Sequence, residues 1–146
     1  MEDFVTFEIA KKLKEKGFNE PCYMFYDKGG KLTSVIEYDA TNSGIDINNL
    51  LIKNSRLTAG AECVAPTISQ ALKWLRKEKK IYIVPLIYYD WSEDTNGTIC
   101  KEWLFWSYKV VRIDDGRIIY DELEENFENY EQAALAGIEC VIDNLI

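Results

Sequence analysis

"KEWLFWSYKVVRIDDGRIIY", Lys101 to Tyr120, decides the fold. Its first part is dense in aromatic and β-branched residues and reads with a period of two. Trp103, Phe105, Val111 and Ile113 share one face of an extended chain, and Leu104, Trp106, Tyr108 and Val110 share the other. Asp115-Gly116 then separates this run from "RIIY", a short-range hairpin signal. Upstream, "IYIVPLIYYDW" (81–91) is a further strand, joined through "SEDTNGT", which places Asn96-Gly97 at its turn. Pro85 has no N–H to give to a ladder, so it favours an edge position or a bulge. Three antiparallel strands in a meander are expected. Both faces of the long strand are largely apolar, so both require cover.

Helices on either side can supply that cover. "APTISQALKWLRKEKK" (65–80) opens with Pro66, Thr67 and, three residues on, Gln70, a capping-box pattern. Ile68, Ala71, Leu72 and Leu75 then recur at helical spacing with Trp74 flanking them, which predicts a buried Trp74. "TFEIAKKLKEKGF" predicts an opening helix capped by Thr6 and ended by Gly17, with Ile9, Ala10 and Leu13 inward. In the closing helix Asn129 and Gln132 form the cap, and the stripe is Tyr130, Ala134, Ile138, Val141, Ile142 and Leu145. "CYMFY" (22–26) and "TSVIEY" (33–38) flank the turn "DKGGK" as a first hairpin, and Asp39 to Ala65 reads as a long polar loop holding a short turn. The expected class is α+β: antiparallel sheet, as a hairpin plus a three-stranded meander, packed with about three helices in a single domain spanning 1–146.

Composition bounds the chemistry. The chain has 146 residues, 47% hydrophobic and 29% charged, which is ordinary globular usage. Its net charge of -8 opposes a phosphate backbone. The N-terminus "MEDFVTFEIA" has neither the basic start nor the apolar stretch of a signal peptide, and no apolar run reaches membrane-span length, so a cytoplasmic protein without membrane contact is expected. Cys22, Cys63, Cys100 and Cys140 lack C-x-x-C spacing and suggest reduced, mostly buried thiols. There is no histidine, which removes His-dependent hydrolases, H-E-x-x-H proteases and His-ligated metal sites. Glycine-rich phosphate loops are absent as well, and no carboxylate, lysine, tyrosine or cysteine pair stands at a diagnostic spacing. No catalytic residue, cofactor or metal ligand is therefore assigned, and a non-enzymatic role is expected.

Three features invite a functional reading. Lys73, Arg76, Lys77 and Lys80 fall on one quarter of the 67–80 helix, opposite its apolar stripe, and could face phosphate. They equally suit a solvated helix C-terminus, and the overall charge favours that view. The acidic run "DELEENFE" (121–128) departs from the EF-hand pattern, as do "DATNSGID" and "DWSEDTNG", and suits solvated loops. Tyr88, Tyr89, Trp91, Trp103 and Trp106 crowd the two long strands, as core or, if one sheet face stays open, as a stacking or protein-binding surface.

"GFNEPCYMFY", "APTISQALKWLRKEKK" and "YEQAALAGIECVIDNLI", taken together, resemble a family of short uncharacterised proteins encoded in bacterial genomes, often within prophages and other mobile elements. The resemblance spans most of the chain. It implies a mobile-element origin and carries over no activity, cofactor or catalytic residue. The expected function is that of a phage or mobile-element accessory protein that binds a macromolecular partner, a host or phage protein. One alternative is a nucleic-acid-binding module using the basic face of the 67–80 helix, and another is an enzyme with an unrecognised His-free site. Oligomeric state is not legible.

Overall fold

The helices form where caps and apolar periodicity coincide. In the computed structural model, which describes residues 3–35, 51–121 and 126–146, α1 spans Phe7–Glu15. The Thr6 hydroxyl accepts the Ile9 N–H at 3.3 Å, and Gly17 leaves the helix with φ 95°. The second helix, α2 (Ile68–Lys79), carries the full capping box: Thr67 accepts from the Gln70 N–H, and the Gln70 side chain accepts from the Thr67 N–H. Its buried face is Ile68, Ala71, Leu72, Trp74 and Leu75, as the spacing predicts. The third, α3 (Tyr130–Asn144), is capped by Asn129, whose side chain accepts from the Gln132 N–H at 2.9 Å. Lys12 of α1 reaches Glu139 at 3.2 Å and Asp143 at 3.0 Å on α3. Its hydrogen bonds, to Asp143 foremost, raise the ammonium pKa.

The strands form two separate antiparallel sheets, which with the helices make an α+β fold. One holds β1 (Met24–Asp27), β2 (Leu32–Ser34) and β3 (Ala61–Val64) in the order β2-β1-β3. The β1–β2 pair is the expected first hairpin. The strand β3 corrects the end of the segment Asp39 to Ala65, read as a long loop holding a short turn. "AECV" is too short to show a period, and it becomes a strand because β1 offers an edge and Ala61, Cys63 and Val64 are buried there. Cys22 and Ile52 also exchange backbone bonds across this segment. Residues 36–50 and 122–125, with half of the expected second strand of the first hairpin and half of the acidic run, lie outside the described residues.

The second sheet is the expected meander, β4 (Ile81–Glu93), β5 (Ile99–Arg112) and β6 (Ile118–Asp121) in the order β4-β5-β6. Gly97 and Gly116 take φ 78° and 61° in its two turns, conformations that favour glycine. The core is continuous, joining α1, the first sheet, the buried face of α2, the Ile81, Ile83, Tyr108 and Val110 end of the meander, and α3. At Gly137 the α3 backbone comes so close to the meander that a Cβ would lie 2.5 Å from Ile83 Cγ2 and 3.3 Å from the Tyr108 ring. No helix among the described residues is long and apolar enough to cross a membrane.

Candidate functional site

β4 and β5 are far longer than the body that supports them. Their register is continuous from Ile81↔Arg112 to Ser92↔Lys101, with one irregularity between Ser92 and Glu93. The end nearest α2 and α3 is core, and the other end projects as a two-stranded arm closed by the turn at Asp94–Thr98.

Hydrogen-bond phase fixes which residues face where. Ile113 N–H donates to Lys80 O at 3.0 Å, and Trp106 exchanges both backbone bonds with Phe127 at 2.9 and 2.8 Å. Because antiparallel pairs alternate between bonded and non-bonded positions, even-numbered β4 residues bond to β5. Ile81, Ile83, Pro85, Ile87, Tyr89 and Trp91 turn their backbone groups to the outer edge of β4 and share one side-chain face. Pro85 therefore removes no bond from the hairpin, and the continuous register shows that it makes no bulge there.

Opposite those residues on the same face stand Val110, Tyr108, Trp106, Leu104 and Glu102. Between Arg112 at its inner end and Glu102 at its outer end, this face stays apolar as it runs from core to solvent. Ile81 and Ile83 are buried, whereas Ile87, Tyr89, Trp91 and Leu104 are exposed by 56, 51, 47 and 69%. Trp106 lies between the two regimes, half-buried and set edge-on to Tyr130 of α3 at 5.8 Å. Tyr89 and Trp91 stack at 5.5 Å; the Tyr89 hydroxyl donates to Glu102 at 2.7 Å and the Trp91 indole N–H to Glu93 at 3.2 Å. The Glu102 hydrogen bond raises the Tyr89 phenol pKa.

The other face of the arm carries Leu86, Tyr88, Trp103 and Phe105, all half-buried. Tyr88 stacks on Phe105 at 5.4 Å, and Lys101 Nζ lies 5.7 Å from the Trp103 ring. The structure thus divides the five aromatic candidates, with Tyr89, Trp91 and Trp106 on one face and Tyr88 and Trp103 on the other. Sequence reasoning singled out rings and missed Ile87 and Leu104, the most exposed apolar side chains of the arm. The period-two alternation that assigned Leu104 and Trp106 to one face was the signal that could have included them.

The basic candidates lie apart, on α2 and its end. Lys73, Lys77 and Lys80 are exposed, and Arg76 packs over the Tyr82 ring at 5.7 Å. Carboxylates break up the group: Lys77 lies 3.8 Å from Glu78, and Lys73 and Lys77 line a cleft of about 200 Å³ with Glu20, Pro21, Gln70 and Trp74. Lys80 caps α2 in the left-handed conformation, φ 58°, its N–H bonded to Leu75 O.

The thiols divide in the same way as the rings. Cys22 and Cys63 are buried, and burial pushes them up to about 12 and about 11. Cys140 is half-buried, and Cys100, against the expectation of burial, is exposed because it sits on the arm. Among the described residues no group of three or more Cys, Asp or Glu side chains is placed to hold a metal ion. No family model matches the chain, and neither a curated protein nor a solved structure matches it.

Proposed function

We propose that this chain is a cytoplasmic accessory protein of a phage or mobile element that acts by binding a host or phage protein through the distal β4–β5 arm. One observation carries the binding reading: Ile87, Tyr89, Trp91 and Leu104 form an apolar stripe that leaves the core and continues uncovered into solvent. Contiguous apolar exposure of this kind marks interaction surfaces, since each such side chain gains about 1.5 to 3 kcal/mol when fully buried. Glu93, Asp94 and Glu102 at the arm's end supply a polar rim. The mobile-element setting rests on the resemblance of the three sequence segments quoted above.

The test is capture from host lysate with nuclease present, comparing the native chain with an Ile87→Lys/Leu104→Lys variant. A protein retained by the native chain and lost by the variant is expected. Capture abolished by nuclease, and by Lys73→Glu/Lys77→Glu while the arm variant still captures, would overturn the proposal in favour of the basic helix face.

A further inference from the structure

The arm has an edge as well as faces, and the edge is unguarded where it is most apolar. Among the described residues β4 pairs with β5 alone. Long edge strands are ordinarily blunted by proline, bulges or charge, because their open backbone groups template pairing with another chain. Here Pro85 blunts the inner half, and the register shift at Ser92/Glu93 blunts the tip. Between them Ile87 and Tyr89 present outward N–H and C=O groups and Trp91 its C=O, the Trp91 N–H being taken by Asp90 Oδ1 at 2.8 Å, and the flanking β-branched and aromatic side chains favour strand pairing.

Charge selects what can pair there. The distal end carries Asp90, Glu93, Asp94 and Glu102 against Lys101 alone. At the inner end, Arg76, Lys77, Lys79, Lys80 and Arg112 outnumber Glu78, Asp114 and Asp115. Two copies of a chain with net charge -8 repel at long range. Laid antiparallel along β4, however, the acidic tip of each arm lies beside the basic inner end of the other. A parallel arrangement would set tip against tip.

We infer that the β4 edge, centred on Ile87 to Trp91, pairs antiparallel with the same edge of a second copy, closing a two-fold dimer in which the two arms form one continuous sheet. An isologous contact of this kind satisfies both edges and ends the assembly at two. Edge pairing leaves both sheet faces open, so the apolar stripe is doubled rather than covered. The inference uses backbone groups of the purified protein alone, and stands or falls independently of any host or phage partner.

The experiment is sedimentation equilibrium of the purified full chain over a wide concentration range, with amide hydrogen exchange at both ends of that range. A monomer–dimer equilibrium is expected, with the Ile87 and Tyr89 amides gaining protection as dimer forms. Tyr89→Pro removes an outward N–H that the hairpin does not use, and should shift the protein to monomer. Lys77→Glu/Lys80→Glu should weaken the dimer by about tenfold, the effect of about 1.4 kcal/mol, and adding Glu93→Lys/Asp94→Lys should restore it. A monomer at every concentration, open-ended polymers, or a dimer whose Ile87 and Tyr89 amides exchange as freely as in the monomer would each overturn the inference. That last readout requires no substitution, so it holds even if Tyr89→Pro unfolds the chain.

Discussion

The two ends of β4 are built from the same residue types and meet opposite fates. Ile81 and Ile83 are buried at 3 and 6% exposure, while Ile87, four residues further along the same face, is exposed by 56%. The change in environment comes from cover and not from composition. α2 packs its Leu72 and Leu75 side of the core at the inner end, α3 lays Gly137 against Ile83 and Tyr108, and Phe127 and Tyr130 reach as far as Trp106. Beyond that point the strands continue with nothing described above them. An apolar strand therefore states a demand for cover, and only the placement of helices shows whether the same chain meets it.

If the body carries the stability, its substitutions should dominate. Trp74→Ala is expected to cost about 3 to 5 kcal/mol, the range for a buried large aromatic. Trp74 is 4% exposed, meets Phe18 edge-on at 5.4 Å and has the Lys79 ammonium 5.3 Å from its ring. Urea denaturation measures the loss; an unmoved midpoint would place the weight of the fold elsewhere. Gly137→Ala should come next. Alanine ordinarily stabilises a helix interior by up to about 1 kcal/mol, but here its Cβ meets Ile83 at 2.5 Å. Overpacking of about 1 to 3 kcal/mol should reverse the sign, and a variant more stable than the native chain would show that α3 can withdraw from the sheet.

The buried thiols sharpen the comparison through pH. Cys22 and Cys63 keep their protons in the folded chain beyond the ordinary thiol value of 9.0, because burial raises them to about 12 and about 11. The unfolded chain releases those protons first, so stability is fully present below about pH 9 and declines as pH rises toward 11 to 12. Urea midpoints measured from pH 8 upward should fall, and should fall less steeply for Cys22→Ala. A profile of equal slope in both chains would remove Cys22 as a cause. Cys100, exposed on the arm, should by contrast react with a maleimide in the native state while Cys22 and Cys63 stay protected.

The body was also the part most legible in the sequence. Thr6, Thr67 and Asn129 each cap the helix they announce, and Asp115-Gly116 makes its turn, because caps and tight turns depend on residues only a few positions apart. The strand β3 was not legible: four residues hold no period, and its partner β1 lies more than thirty positions upstream. The arm was legible as strands with two apolar faces, and its aromatics as a candidate surface. That the face of Ile87, Tyr89, Trp91 and Leu104 is exposed beyond Trp106, that the five rings divide between the two faces, and that Ile87 and Leu104 stand out furthest depend on where α3 ends its contact. Local sequence does not encode that.

The smallest expected effect tests the comparison most directly. Ile87→Ser or Leu104→Ser on the exposed stripe should change stability by no more than about 0.5 kcal/mol, the range for surface positions that fill no cavity, although both remove side chains as large as those whose loss from a core costs several kcal/mol. Leu104 is 69% exposed, so the folded chain gives up little burial when it is removed. The same substitutions should lower the binding of a hydrophobic fluorescent dye to the native protein, because they shorten the apolar stripe while the body is unchanged. A loss of stability approaching that of Trp74→Ala would mean that the arm folds back onto cover of its own and is core after all. Unchanged stability with reduced dye binding would separate the two ends of β4 by function as cleanly as exposure separates them in the structure.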